Sequence, residues 1–312
     1  MSEKRRDDAW TEVANRGHVS EYRGERRETT GQTRRLKIVH RTGFRYDGTV
    51  AGSYNEARMT PLNTRAQSVL AARVTIDPVT WTFSYKDYWD TQVTAFDVLV
   101  PHSELAVISS STVEVHAPGK PVRGIGWDAL SIGEAMDATA EFLPQTSSTT
   151  PHEEVQAMAV DAAGDLAPDG AARAVCEQLR SQMEYVPGST VVTTDAAEAW
   201  EDRKGVCQDF AHLTIGALRT LGIPARYVSG YLHPKAQAAI GETVQGESHA
   251  WIEWWAGDWV AYDPTSLRPA GQDHVVVARG RDYSDVTPLK GIFAGRTSSS
   301  ELYVSVDVTR LT

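Results

Sequence analysis

Cysteine is scarce in this chain: Cys176 and Cys207 are the only two in 312 residues. Two are too few for a disulfide framework or a pair of CxxC metal-binding turns, and a reducing cytoplasm is the simplest expected setting. Positive charge is also short, with 31 Lys and Arg against 41 Asp and Glu and a formal net charge of −10. A nucleic-acid footprint needs a basic face, and outside the N-terminal tail no Lys/Arg cluster supplies one. No stretch is apolar for long enough to span a bilayer. The opening residues, Met1 to Asp8, carry charge with no apolar segment behind them, which does not support a secretory leader. Also missing are a Walker loop, a GxGxxG turn, an acidic loop of calcium-binding spacing and a repeat of solenoid period. No cofactor and no metal are implied.

What is present is a packed-protein composition, 41% hydrophobic and 23% charged, long enough for about two domains. Residues 1–34 are polar and mixed in charge, and are expected to form a mobile tail. Strand-like runs then follow, Leu36–Tyr46, Val69–Ile76, Val93–Val100 and Val107–Val115, separated by Asp47-Gly48, Asp77-Pro78 and Pro101. With no helical period between them, they predict an antiparallel sandwich-like β-domain over 35–117. A Gly- and Pro-containing linker is expected over 118–130. Helical segments are expected near 131–143, 152–165, 171–184 and 194–202, with Cys176 buried mid-helix. After Pro224 come strand candidates Ala225–Tyr231, Ser248–Trp255, Trp259–Tyr262, His274–Ala278 and Leu302–Val308. Helices first and strands afterwards make 131–312 an α+β domain.

The stretch Gly205–Leu221 carries small or apolar residues at 207, 210, 211, 214, 217, 218 and 221, the spacing of one buried helix face. Gly222 suits the left-handed residue beyond its end, and Pro224 blocks continuation. Cys207 therefore falls in the first turn, where free backbone N–H groups and the helix dipole favour a thiolate. A thiolate nucleophile needs a base, and the base needs an orienting group. Ser248–Trp255 and Trp259–Asp263 flank the turn Ala256-Gly257-Asp258. A three-residue loop 255–257 would set His249 directly opposite Asp263, and a register error of one would still leave them neighbours. Contact between Cys207 and His249 does not follow from spacing.

Four blocks occur in order: Gly205-Val206-Cys207-Gln208-Asp209-Phe210-Ala211-His212, Leu221-Gly222-Ile223-Pro224-Ala225-Arg226-Tyr227, His249-Ala250-Trp251 and Asp263-Pro264-Thr265. Together they resemble the core of the transglutaminase-like cysteine hydrolase superfamily. Tyr54-Asn55-Glu56-Ala57-Arg58-Met59-Thr60-Pro61 resembles the N-terminal β-region of bacterial members, and Gly280–Pro288 their C-terminal segment. The resemblance implies a papain-like α+β catalytic domain over 131–312, with Cys207 as nucleophile, His249 as base and Asp263 as its orienter. One departure is Asp87-Tyr88-Trp89-Asp90-Thr91, where bacterial relatives often carry an Asp-x-x-Gly-Asn turn.

The expected reaction is amide-bond cleavage or exchange on a peptide or protein through a thioester. Protein-glutamine-type amine transfer and a non-catalytic peptide-binding module are the alternatives. Trp200 and His212 are expected to be structural, His212 in the core or at the surface. Trp251, Trp254, Trp255 and Trp259 are candidates for a substrate groove, with some facing the core. Lys235–Glu247 reads as either a flap or a surface connection.

Overall fold

The computed structural model describes residues 33–117, 124–130, 134–235, 238–246, 248–295 and 299–312. Apart from Thr33 and Arg34, the expected tail lies outside them, as do 118–123 of the expected linker. Five strands come first: β1 (Thr33–Ala57), β2 (Gln67–Asp77), β3 (Thr82–Lys86), β4 (Gln92–Val98) and β5 (His102–His116). Short helices α1 (Trp127–Leu130) and α2 (Glu134–Thr139) precede α3 (Glu153–Ala163), α4 (Pro168–Gln182), α5 (Ala196–Asp202) and α6 (Cys207–Thr220). Two-residue strands β6 (Glu184–Tyr185) and β7 (Lys204–Gly205) pair in parallel just ahead of α6. The chain ends with β8 (Ala225–Leu232), β9 (Thr243–Gly246), β10 (Ser248–Trp255), β11 (Trp259–Asp263), β12 (Arg268–Pro269), β13 (His274–Gly280), α7 (Tyr283–Val286), β14 (Leu289–Gly295) and β15 (Ser300–Arg310).

β1 organises the first sheet. Its residues 36–45 pair with β5 on one side and with β15 on the other, while 53–57 pair with β4 and β14. All four pairings are antiparallel. The strand continues through Asp47-Gly48, read from sequence as a turn, because both flanking segments find partners in the same sheet. The C-terminal strands thus cross the boundary expected at 118–130 and complete the N-terminal sheet. The main core is shared in the same way: Leu36, Ile38, Val113, Val115, Val306 and Val308 pack in one cluster with Trp200, Leu213, Ile252 and Trp254.

The bacterial N-terminal motif is a polar clasp. Tyr85 donates to Glu56 at 2.7 Å, and Arg58 bridges Glu56 and Asp87 at 3.0 Å each. Asp87 Oδ1 in turn accepts the backbone N–H groups of Trp89 and Thr91, and Asp90 takes φ +62°, in the left-handed region that favours glycine.

The second sheet runs β12-β11-β10-β8-β13, all antiparallel. Helix α6 packs on β8 and β10 and also against α3, α4 and α5. Its surroundings bury every residue from Gln208 to Arg219, so it is enclosed all round rather than on the single face that periodicity suggests. Gly222 ends it at φ +76°. Arg219, buried within it, donates to the carbonyls of Phe142, Pro144, Ala225 and Arg281 and so ties α6 to the loops around it. No helix of the described residues is long and apolar enough to cross a membrane.

Candidate active site

Cys207 is the first residue of α6, where the leading N–H groups have no carbonyl partner inside the helix. The turn before it is held by Asp209, whose Oδ2 accepts Val206 N–H at 2.7 Å and the Thr190 hydroxyl at 2.6 Å. Burial raises the Asp209 pKa, and these donors oppose the rise. Gln208 adds a bond to the Val192 carbonyl at 3.1 Å. Cys207 itself is half-buried, whereas Cys176 is fully enclosed in α4 with its thiol pushed far up by burial.

On β10, His249, Trp251 and Glu253 alternate onto one face. Trp251 lies over Gly230 of β8, where a Cβ would meet the Val275 carbonyl oxygen at 2.0 Å and the Trp251 ring at 2.6 Å. The hairpin loop is Ala256–Asp258, with Gly257 at φ +95°, and the ladder pairs Trp255 with Trp259 and Ile252 with Tyr262. That register corrects the expected one. Extended by one step it sets Asp263 across from Trp251, on the diagonal to His249 rather than directly opposite. The diagonal is still short enough: His249 Nε2 lies 3.0 Å from Asp263 Oδ2.

Asp263 is fully buried. Its Oδ1 accepts Thr265 and Ser266 N–H at 3.0 and 3.4 Å, and its Oδ2 accepts the Ser266 hydroxyl at 2.6 Å. Burial alone would raise its pKa, but the bond and charge of His249, with His274 nearby and the Ser266 hydroxyl, hold the carboxyl well below its usual range. For His249, burial works against the charged ring. Hydrogen bonds to Asp263 and Cys207 outweigh it and raise the pKa to about 9. With Asp263 on Nε2, Nδ1 is the ring atom left for the sulfur. The three residues picked out from sequence therefore converge.

Ser266 and His274 were not among them. Ser266, three residues past Asp263, is a turn-type side chain folding back on the preceding carboxylate, a signal present in Asp-Pro-Thr-Ser. His274 opens β13 with Nε2 3.7 Å from Asp263 Oδ2, beyond a direct hydrogen bond. The ligand atoms of His249, Asp263 and His274 lie within 4.8 Å of one another. A cation would need the lone pair on His274 Nε2. However, His274 Nδ1 already uses its own lone pair to accept Gly271 N–H at 3.2 Å, which leaves the ring proton on Nε2. The cluster fits a hydrogen-bonded site better than a metal centre.

The remaining candidates are structural. Trp200 is buried and donates its indole N–H to Glu154 at 2.9 Å, so it is not available to an oxyanion. His212 is buried, accepts Tyr283 N–H at 3.2 Å and is kept neutral by burial, with a pKa of about 4. Trp251 and Trp254 are wholly buried, the latter donating to Asp169, while Trp255 and Trp259 remain partly exposed and meet edge to face. From the Lys235–Glu247 segment, Thr243–Gly246 forms β9 and pairs with β15.

Residues 156–264 match the transglutaminase-like superfamily, and residues 36–114 match the bacterial transglutaminase-like N-terminal region. An uncharacterized protein of Mycobacterium leprae is 45% identical over 277 residues, covering 89% of this chain and 99% of its own length. One from Mycobacterium tuberculosis is 35% identical over 297 residues, covering 88% and 93%. A protein-glutamine gamma-glutamyltransferase of Pseudomonas aeruginosa is 36% identical over 72 residues, 21% of this chain and 10% of its own. Among solved structures, one described as "a Putative Cysteine Protease from Cytophaga hutchinsonii" aligns over 89% of this chain and 98% of its own, with TM-score 0.68 and 19% identity. At that identity the likeness speaks for the fold alone, an α+β architecture with an antiparallel N-terminal sheet and a papain-like core. The chain belongs to the transglutaminase-like superfamily and joins that core to the family's bacterial N-terminal region.

Proposed function

We propose that the protein is a thiol-dependent acyl-transfer enzyme acting on amide bonds of peptide or protein substrates, with hydrolysis favoured over amine transfer. The observation that carries this reading is one imidazole held between a buried carboxylate and a thiol at a helix start. Cys207 sulfur attacks the amide carbonyl carbon, and the developing oxyanion is met by first-turn N–H groups of α6. His249, protonated on the ring atom facing the sulfur, gives that proton to the leaving amine as the C–N bond breaks. Asp263 stabilises the imidazolium and fixes the ring's orientation. Water then attacks the thioester carbonyl, His249 takes its proton, and the acid leaves as the C–S bond breaks.

Amine transfer requires the thioester to be shielded from water. Of the four tryptophans available for such walls, Trp251 and Trp254 are spent in the core, which favours hydrolysis. The short match to a protein-glutamine gamma-glutamyltransferase favours transfer and keeps it as the second reading. Both cysteines are free, which suits a reducing compartment such as the cytoplasm.

The test supplies an amide acyl donor with excess labelled primary amine and follows acid and labelled amide together. Acid release should outrun label incorporation. The reverse would make the enzyme a transferase, and no thioester-trapped Cys207 under either condition would remove the acyl-transfer reading.

A further inference from the structure

We propose that His274 is a positioning residue of this site, a second imidazole whose Nε2–H is aimed at Asp263 and keeps that carboxylate turned toward His249. The inference rests on the thiol chemistry proposed above. His274 is almost wholly buried, and its ring is fixed from two sides. Its Nδ1 accepts Gly271 N–H at 3.2 Å, while its own backbone N–H returns a bond to the Gly271 carbonyl at 2.9 Å. The ring packs edge to face with Trp251 at 5.2 Å and tilts against His249 at 6.1 Å.

A backbone N–H cannot donate to another N–H, so Nδ1 must carry the lone pair and the neutral ring holds its proton on Nε2. Burial lowers the pKa of the ring, against the pull of Asp263, and keeps it neutral. Nε2 has no hydrogen-bond partner of its own, and Asp263 Oδ2 lies 3.7 Å from it. Between two buried side chains, an N–H dipole pointed at a carboxylate stabilises the anion even at that range. The charged and titratable groups facing this pair are His249 with Cys207 beyond it, Arg268 from β12, Tyr262 from β11, and Cys176 from α4 behind Asp263.

Asp263 Oδ1 is anchored by two backbone donors, and Oδ2 by the Ser266 hydroxyl and His249. The Ser266 hydroxyl competes with His249 for Oδ2, and His274 is a third donor near the same oxygen that keeps its charge on the histidine side of the site. No proton passes through His274. It keeps Asp263 ionised and aimed while His249 gains and loses its own.

Two experiments test this. In the wild-type protein, 15N-histidine NMR should find the Nε2–H tautomer for the ring whose Nδ1 is bonded to Gly271 N–H. An Nδ1–H tautomer or a charged ring at neutral pH would overturn the proposal, and this arm needs no variant to fold. Second, the rate of Cys207 alkylation is followed against pH, without substrate, in wild type, His249→Ala, His274→Leu and His274→Gln. Replacing His274 with leucine should move the inflection due to His249 down by about one pH unit and slow alkylation at neutral pH several-fold. Glutamine, whose amide N–H can occupy the Nε2 position, should restore most of the profile. If wild type and His249→Ala alkylate alike, the thiol–imidazole reading itself fails. If they differ and a folded His274→Leu keeps the wild-type profile, only the role of His274 fails.

Discussion

His249 and Asp263 meet on the diagonal of the β10–β11 hairpin, with Nε2 of one 3.0 Å from Oδ2 of the other. The carboxylate's second oxygen is committed to the Thr265 and Ser266 N–H groups. Asp263→Asn must therefore keep its carbonyl oxygen on those donors and turn its NH2 toward His249. The imidazole then has to accept on Nε2 and carry its proton on Nδ1, facing the sulfur, which is the wrong tautomer for a base. We expect the asparagine variant to fold and to lose about 10³–10⁴-fold in turnover. His249→Ala should abolish turnover. Circular dichroism together with a peptide-amide assay checks both, and an asparagine variant at wild-type rate would remove Asp263 from its role.

The same pair makes stability depend on pH with a definite sign. The folded-state pKa of His249 is raised from an ordinary 6.5 to about 9, so its contribution is complete below about pH 6.5 and is lost as pH rises through 9. Asp263 is depressed from an ordinary 3.8, so its contribution is present above that value and disappears on acidification. Denaturant melts should show a plateau between about pH 4 and 6.5 and an alkaline decline on the order of 1–3 kcal/mol. His249→Ala should flatten the alkaline decline, and a variant that kept the full slope would assign it to other groups.

Cys207 should react with iodoacetamide at least about 100-fold faster than Cys176 at neutral pH. Cys176 is sealed in α4 with its thiol pushed up by burial, while Cys207 is partly exposed at a helix start beside His249. Peptide mapping of the labelled protein measures the ratio, and equal labelling would count against a poised thiol.

Gly230→Ala should cost about 3 kcal/mol in a urea melt and slow turnover as well. Its Cβ would press on a backbone oxygen of β13 and on Trp251, and neither is a flexible chain end. Because the Trp251 ring packs against both His249 and His274, relief by shifting Trp251 would reach the site. A neutral substitution would mean that β8 and β13 can part without disturbing it.

Local pattern made much of this legible. Apolar spacing located the helix of Cys207 and its end at Gly222, and the Gly257 turn brought His249 and Asp263 into one hairpin. The register went astray because alternation fixes which face a residue occupies but not its partner, and the loop sits one residue later than expected. β3 was passed over since Thr82–Lys86 exposes most of its side chains and so lacks the apolar alternation that marks a half-buried strand. His274 stood in a recognised strand candidate, but its tautomer depends on Gly271 and its importance on a carboxylate eleven residues earlier. The pairing of β1 with β14 and β15 joins segments too distant in sequence for any local signal.

That pairing bears on how the chain is made. Leu36 leaves a ribosome long before its ladder partner Arg310. Until β14 and β15 emerge, β1 is bare along one edge, offering unpaired N–H and C=O groups beside an apolar face. Loop closure over this distance is slow, so completion of the first sheet must wait until β14 and β15 have been made. Synthesis truncated before Leu289 would therefore leave a species with an open sheet edge, prone to pairing with its own kind, although Cys207, His249 and Asp263 would all be present in it.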